Sequence, residues 1–385
     1  MKYIDLETYT NFSCSGGDCP FTCCGGWGIV IDDATAEYYK TVRGKLGTRL
    51  KRNINRENGR STFALDENGN CTFLNEHGLC DIVLELGEER LSTTCHYFPR
   101  FTFFYGNMRF AGVSLACPEV SKFFLQHETS LKVSLSEDEL ILSDRDKYDA
   151  KIVDSALTLL ESSLNLIRNR TLSIRERLAA LLIMTYQYQT YYDEGKDGGV
   201  LIEVFGNNDN LMGIARQALE NGRDYASKID FCSEVMGYYK QIEDFEGHLP
   251  ELSRSVEYFS ESDNSEVSKN VWINVHDWLD SDPEMIWQEH VLMYVVFRYL
   301  MDAVSNGDYY GQTVMGIVCV YELIIAELTL TYIESGIEPN SESKMMIMSR
   351  ASRLVEHDGN FRKLAQQNFK EKGMTSLPFL LKLIS

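Results

Sequence analysis

Positive charge is scarce in this chain. Against 57 Asp and Glu stand 37 Lys and Arg, a formal net charge of -20. A nucleic-acid partner needs a basic footprint that displaces phosphate counterions, so this balance excludes a general nucleic-acid binder. A local basic stretch exists from Arg43 to Arg60. The acidity otherwise either serves solubility alone or sets up a field that attracts cationic side chains. Met1-Lys2-Tyr3-Ile4-Asp5-Leu6-Glu7 contains no apolar run and is acidic early, unlike a secretory leader. An uncharged apolar run of membrane-spanning length is also missing. The most apolar window, Val314 to Leu330, contains Glu322 and Glu327 and reads as a buried or amphipathic helix. No membrane span is therefore expected. A cytoplasmic location is, and there thiols stay reduced.

Cysteine is plentiful and crowded. Of 10 cysteines, only Cys232 and Cys319 fall outside residues 14–117. In a reducing compartment such crowding points to metal ligation or redox chemistry rather than structural disulfides. Cys14, Cys19, Cys23 and Cys24 lie in one irregular segment, with glycines at 16, 17, 25 and 26 that permit a loop to wrap closely. Neighbouring side chains of an extended chain point to opposite faces. Cys23 and Cys24 therefore either serve different metals, or one ligates while the other packs.

Cys71 to Ile82 reads as a tight hairpin with its turn at Asn75 to Gly78, which would make Cys71 and Cys80 diagonal neighbours on one face. His77, in the turn, is either a further ligand or simply solvated. Gly106-Asn107 between apolar runs signals a second hairpin, with Tyr105 opposite Met108. Extended past Pro99, that register brings His96 opposite Cys117 and Cys95 close to it. The aromatic residues between the two hairpins read as the small core of this region.

These residues resemble the flagellin lysine-N-methylase family, within a broader group of zinc- or iron-chelating cysteine-cluster proteins. The resemblance rests on Cys14-x4-Cys19-x3-Cys23-Cys24-x2-Trp27, Cys71-x2-Leu74, Gly78-Leu79-Cys80, Cys95-x2-Phe98-Pro99-Arg100 and Cys117-Pro118-Glu119. It covers roughly residues 3–125, with a weaker echo at Glu289-His290-x3-Tyr294-x2-Phe297-Arg298. The resemblance implies methylation of flagellin lysines, S-adenosylmethionine as donor, and an iron–sulfur cluster, taken as 4Fe-4S. The implied ligand candidates are Cys14, Cys19, Cys23, Cys24, Cys71, Cys80, Cys95 and Cys117, without a choice of four. The Cys-x3-Cys-x2-Cys triplet of radical enzymes is absent, as is the strand and glycine-rich turn of a Rossmann methyltransferase.

Four thiolates suit zinc as well as an iron–sulfur cluster, so zinc remains an alternative centre. Methyl transfer needs a neutral amine, and a free lysine ammonium titrates near about 10.4, so desolvation or a base must remove its proton. His96 is the candidate base, or else a group beside the centre.

From about Asp144 the apolar period becomes 3.6. Helices are expected over residues 152–164, 178–192 after a Ser173–Glu176 capping box, 211–219, 223–245, 249–260, 282–304, 311–334, 344–356 and 361–367. The reading is a mainly α protein. A small cysteine-rich α+β metal-binding domain occupies residues 1–125 and an irregular helical bundle residues 126–385. Its expected function is protein-lysine methylation on flagellin. The alternatives are a zinc-stapled helical adaptor without catalysis and an electron carrier.

Overall fold

The computed structural model describes residues 1–57, 59–138, 149–205, 209–220, 286–357 and 359–385, with isolated positions 231, 234, 235, 237 and 279. Most of the expected helix 223–245, all of 249–260, the opening at Asp282-Pro283-Glu284 and Cys232 lie outside them. The architecture is mainly helical. Among the described residues, strands occur only in the N-terminal part: β1 (Lys2–Leu6), β2 (Val30–Ile31), β3 (Ile54–Glu57), β4 (Arg60–Phe63), β5 (Arg100–Tyr105), β6 (Met108–Val113) and β7 (Val133–Glu137).

Two sheets result. One has the order β5-β6-β1-β7, with β1 parallel to β6 and antiparallel to β7; the other has the order β2-β4-β3. The β5–β6 hairpin has the expected register, from Tyr105 opposite Met108 to Arg100 opposite Val113. It does not extend further. Residues Thr93–Tyr97 form a helical turn, and Pro99 has no N–H, so the ladder closes on Ser114 N donating to Pro99 O at 2.7 Å. His96 therefore does not face Cys117.

Other expectations need correction. The charged stretch before Arg60 forms half of a hairpin, in which Ile54 opposite Phe63 supplies apolar contact to the core. The stretch 33–52 forms two helices, Asp33–Thr41 and Gly44–Arg52, broken where Gly44 takes a φ of +79°. Cys71 to Ile82 has the expected turn but no ladder: only Leu74 and Cys80 bridge, because Asp81 starts a helix, Asp81–Leu86.

The aromatic residues of β5 do not form a small core of their own. Phe101, Phe103 and Tyr105 alternate with exposed residues. Phe101 packs 6.1 Å from Tyr294 and 6.5 Å from Phe297 on the helix Ile286–Ala303. They join one continuous core that runs from Ile4 to Ile384. A second, smaller core gathers Ile29, Ile31, Tyr39, Leu50, Phe63, Phe73 and Ile82, with Cys24, Cys80 and Cys95 packed on its edge.

The helical body contains Ala150–Arg168, Ile174–Asp193, Gly198–Phe205, Asp209–Leu219, Ile286–Ala303, Ser341–His357, Gly359–Glu371 and Leu377–Ile384. The Ser173–Glu176 capping box forms as expected. Tyr309–Val314 continues through a π-helical stretch, Met315–Glu322, into Leu323–Ser335. The span Tyr309–Tyr332 is long and apolar enough to cross a membrane, with mean hydropathy 1.9, yet 94% of its most apolar window is buried inside the fold. It is the central core helix, as its two glutamates foretold. Cys319 lies buried within it.

Candidate functional site

The eight N-terminal thiols are carried by four separate pieces of chain that the backbone draws together. Cys71 N donates to Cys24 O at 2.6 Å, and Gly26 N to Gly69 O at 3.0 Å, so the first cysteine loop lies along the approach to Cys71. At its other end the loop meets the 75–78 turn. A Cβ on Gly17 would lie 2.6 Å from His77 O, and one on Gly78 3.1 Å from Gly17 O; only glycines allow that approach. The turn itself is fixed by Asn75 Oδ1, which accepts from His77 N and Leu79 N. Arg49 braces Cys80 from behind, donating to Asp81 at 2.7 Å and Thr72 O at 3.0 Å. Cys95 rides the Thr93–Tyr97 turn, whose first residue is held by Asp32 at 2.8 Å and whose cap is Ser92. Cys117 sits immediately before the helix Pro118–Gln126.

All eight are free thiols, and they form one electrostatically connected set. Cys23 hydrogen-bonds Cys24 and bears electrostatically on Cys19, Cys80, Cys95 and Cys117, while Cys80 and Cys95 bear on Cys71, and Cys14 on Cys19. Burial pushes Cys71 and Cys117 up to about 12 and Cys95 to about 11. The hydrogen bond with Cys24 raises Cys23 well above the ordinary thiol value. Thiols so raised are neutral and weakly nucleophilic; a cation among them would reverse the sign and favour thiolates. The donor chemistry thus suits a soft metal centre. As they stand, no three His, Cys, Asp or Glu among the described residues are arranged to hold a metal ion. The fold lays the first cysteine loop along the 69–78 segment without arranging a set of four ligands among the described residues. His96 is exposed, edge-on to Tyr97 at 5.1 Å, and His77 is solvent-facing in its turn.

Nothing in the residue pattern warns of what faces these loops. The helix Ser341–His357 delivers Arg353, Glu356 and His357, spaced so that they share one side of its last turn. Arg353 is 4% exposed. Its guanidinium donates to Gly25 O at 3.0 Å and Thr22 O at 3.1 Å and lies 3.8 Å over the Phe21 ring. Burial lowers its pKa to about 10, and the nearby Cys23, Cys117 and Cys19 work against that fall. It is the cation that holds the Cys23–Cys24 loop.

Glu356 has a side chain only 1% exposed. It accepts from Ser114 Oγ at 2.5 Å, Ser352 Oγ at 2.8 Å and the Tyr294 hydroxyl, and pairs with Arg298 at 3.2 Å. Burial outweighs Arg298 in raising the Tyr294 phenol. For Arg298, burial alone would lower the pKa, but Glu356 together with Tyr294, Tyr299 and Asp302 raises it. His357 packs 4.4 Å from Trp27 and 5.5 Å from Phe98, and its Nδ1 has no hydrogen-bond partner among the described residues. Burial brings its pKa down to about 4, so the ring is neutral. Trp27 Nε1 in turn donates to Cys23 O at 2.9 Å, which joins this aromatic wall to the thiols.

The echo noted at residues 289–298 proves to be the buried polar row of the helix Ile286–Ala303. Tyr294 and Arg298 reach Glu356. Glu289 pairs with Arg170 at 2.9 Å and Arg177 at 3.5 Å, and His290 sits between Phe124 O and Thr129 O at 2.9 and 2.8 Å. A polar repeat on an otherwise apolar helix was therefore the one visible signal; Arg353, Glu356 and His357 gave none without knowing what that helix covers.

Comparison with known proteins adds a second line. The family model described as FliB lysine N-methylase C-terminal domain matches residues 161–383. That region is the helical body, not the cysteine loops. A lysine-N-methylase from Salmonella choleraesuis is 36% identical over 133 residues, 32% of this chain and 33% of that protein. One from Salmonella typhimurium matches at 36% over the same shares. Flagellar biosynthetic protein FliU of Salmonella muenchen is 37% identical over 122 residues, 30% of this chain and 72% of that protein. The chain thus aligns with about a third of the length of either lysine-N-methylase. No solved structure matches.

Proposed function

Because the chain belongs to the family of the FliB lysine N-methylase C-terminal domain, we propose that it methylates lysine side chains of flagellin in the cytoplasm, with S-adenosylmethionine as donor. The single observation that carries this reading is the family match across the helical body, the part that grips the thiol loops through Arg353. The cluster candidates Cys14, Cys19, Cys23, Cys24, Cys71, Cys80, Cys95 and Cys117 would hold an iron–sulfur centre. Their soft sulfur donors favour it, and Arg353 offsets part of its negative charge. When bound, such a centre would supply redox-active or charge-stabilising chemistry.

The rest is work for the protein's own side chains. A net charge of -20 draws a lysine-bearing surface toward the site. Trp27, Phe98 and His357 form a half-buried wall that suits the lysine methylenes and attracts the ammonium by cation–π contact. Because His357 is neutral it does not repel that cation, and its unpartnered Nδ1 can accept a hydrogen bond from it. Withdrawal from water then lowers the ammonium pKa and releases a proton to solvent. The freed lone pair forms the new N–C bond as the methyl–sulfur bond breaks, the electrons remaining on sulfur.

Purified protein, flagellin and S-adenosylmethionine should give flagellin peptides heavier by whole methyl groups on lysine. Unmodified flagellin, with colourless protein containing stoichiometric zinc, would instead establish the non-catalytic zinc-stapled adaptor.

A further inference from the structure

A cavity of about 230 Å³ lies between the helices Glu7–Asn11 and Pro118–Gln126. Thr8, Asn11, Phe12, Glu119, Phe123 and Gln126 line it. Both walls lead straight to cluster candidates. Ser13, also at the cavity, adjoins Cys14, and Cys117 directly precedes Pro118. We propose that this cavity binds the adenosyl part of the methyl donor, placing its sulfur end beside the thiols. The inference rests on the methylase reading above.

The chemistry of the lining carries the assignment. Thr8 is 3% exposed, and its hydroxyl has no hydrogen-bond partner; a buried polar group left so is costly unless something else satisfies it. Carboxamides such as those of Asn11 and Gln126 offer a donor and an acceptor side by side, the pattern that reads an adenine edge. Phe12 and Phe123 provide aromatic surface for a base; each is stacked by one neighbour, Arg100 at 5.0 Å and His127 at 4.8 Å. Glu119 supplies a carboxylate of the kind that accepts from paired ribose hydroxyls.

Size agrees. The volume is below the roughly 300–1,000 Å³ of pockets that enclose whole drug-sized ligands. It suits a nucleoside, with the amino-acid end of the donor left outside. The two walls are covalently continuous with Cys14 and Cys117, which directs that end toward the thiol loops.

Isothermal titration of the full chain with adenosine, 5′-methylthioadenosine, S-adenosylhomocysteine and methionine tests this. Both nucleosides and S-adenosylhomocysteine should bind, and methionine alone should not. The double variant Asn11→Ala, Gln126→Ala should weaken all three adenosyl ligands by at least about tenfold while the thermal midpoint stays unchanged. Thr8→Val should weaken them by a smaller factor. The inference is overturned if adenosine does not bind, or if these variants leave its affinity within about twofold of wild type. Methylation of flagellin by the same wild-type preparation would then leave the functional reading standing. Failure of methylation with adenosine binding intact would remove that reading and keep the site.

Discussion

Replacing Arg353 by methionine isolates the contact between the helical body and the cysteine loops. Burial takes the guanidinium down to about 10, a net electrostatic cost of about 3 kcal/mol. Against that stand two hydrogen bonds from a charged donor, at about 1.5–3 kcal/mol each, and a ring contact worth about 1–2 kcal/mol. The balance in the intact protein is modest. The variant nonetheless loses more, because Thr22 O and Gly25 O are left facing an apolar side chain. A loss of about 3–5 kcal/mol is expected, as when one partner of a buried charged network is removed. At about 2 °C per kcal/mol, thermal unfolding should begin about 6–10 °C lower. The local effect is more diagnostic. The Cys23–Cys24 loop loses its tether, so reaction of the thiols with a disulfide reagent should speed up well below the unfolding temperature. Arg353→Lys keeps the charge but not the planar fork and should fall between the two. A thermal midpoint within about 1 °C of wild type, together with unchanged thiol labelling, would refute the reasoning.

Other outcomes follow from the same buried groups. Glu356→Leu strands Arg298 and the Tyr294, Ser114 and Ser352 hydroxyls, and chemical denaturation should show a loss of about 3–5 kcal/mol; Glu356→Gln should lose less. Glu289→Ala leaves Arg177 buried without its carboxylate and should cost a similar amount, measured the same way. His357 is held neutral, with its folded pKa near 4 below the free value of 6.5. Its contribution is therefore complete above about pH 6.5 and lost as pH falls toward 4, by up to about 3 kcal/mol. Stability measured across that window should flatten in His357→Phe.

The helical body was legible because its apolar residues recur every three to four positions and its caps are local. Ser173 and Glu176 needed nothing beyond their own helix turn. The β5–β6 register was readable for the same reason, from one two-residue turn. What could not be read depends on contacts between distant residues. Parallel pairing of β1 with β6 joins strands about a hundred positions apart and leaves no turn signature. The bend at Gly44 comes from that glycine's own positive φ, whereas the helix after Cys80 is also held by a side chain brought from elsewhere, Arg49 on Asp81. At the site, the cysteines announced themselves by crowding, whereas Arg353, Glu356 and His357 look in sequence like the polar end of any surface helix. Their burial is set by the loops that they cover.

The tether from Arg353 to Gly25 spans 328 positions. At about 5–20 residues per second, a ribosome needs roughly 16–66 s to make that stretch. For this interval the first thiols have left the exit tunnel while the residue that orders them does not yet exist. Nascent sulfur is thus open to stray ions and oxidants for longer than a small domain would take to fold. Delivery of any inorganic centre must either wait for the last helices or be guarded by a carrier until they arrive.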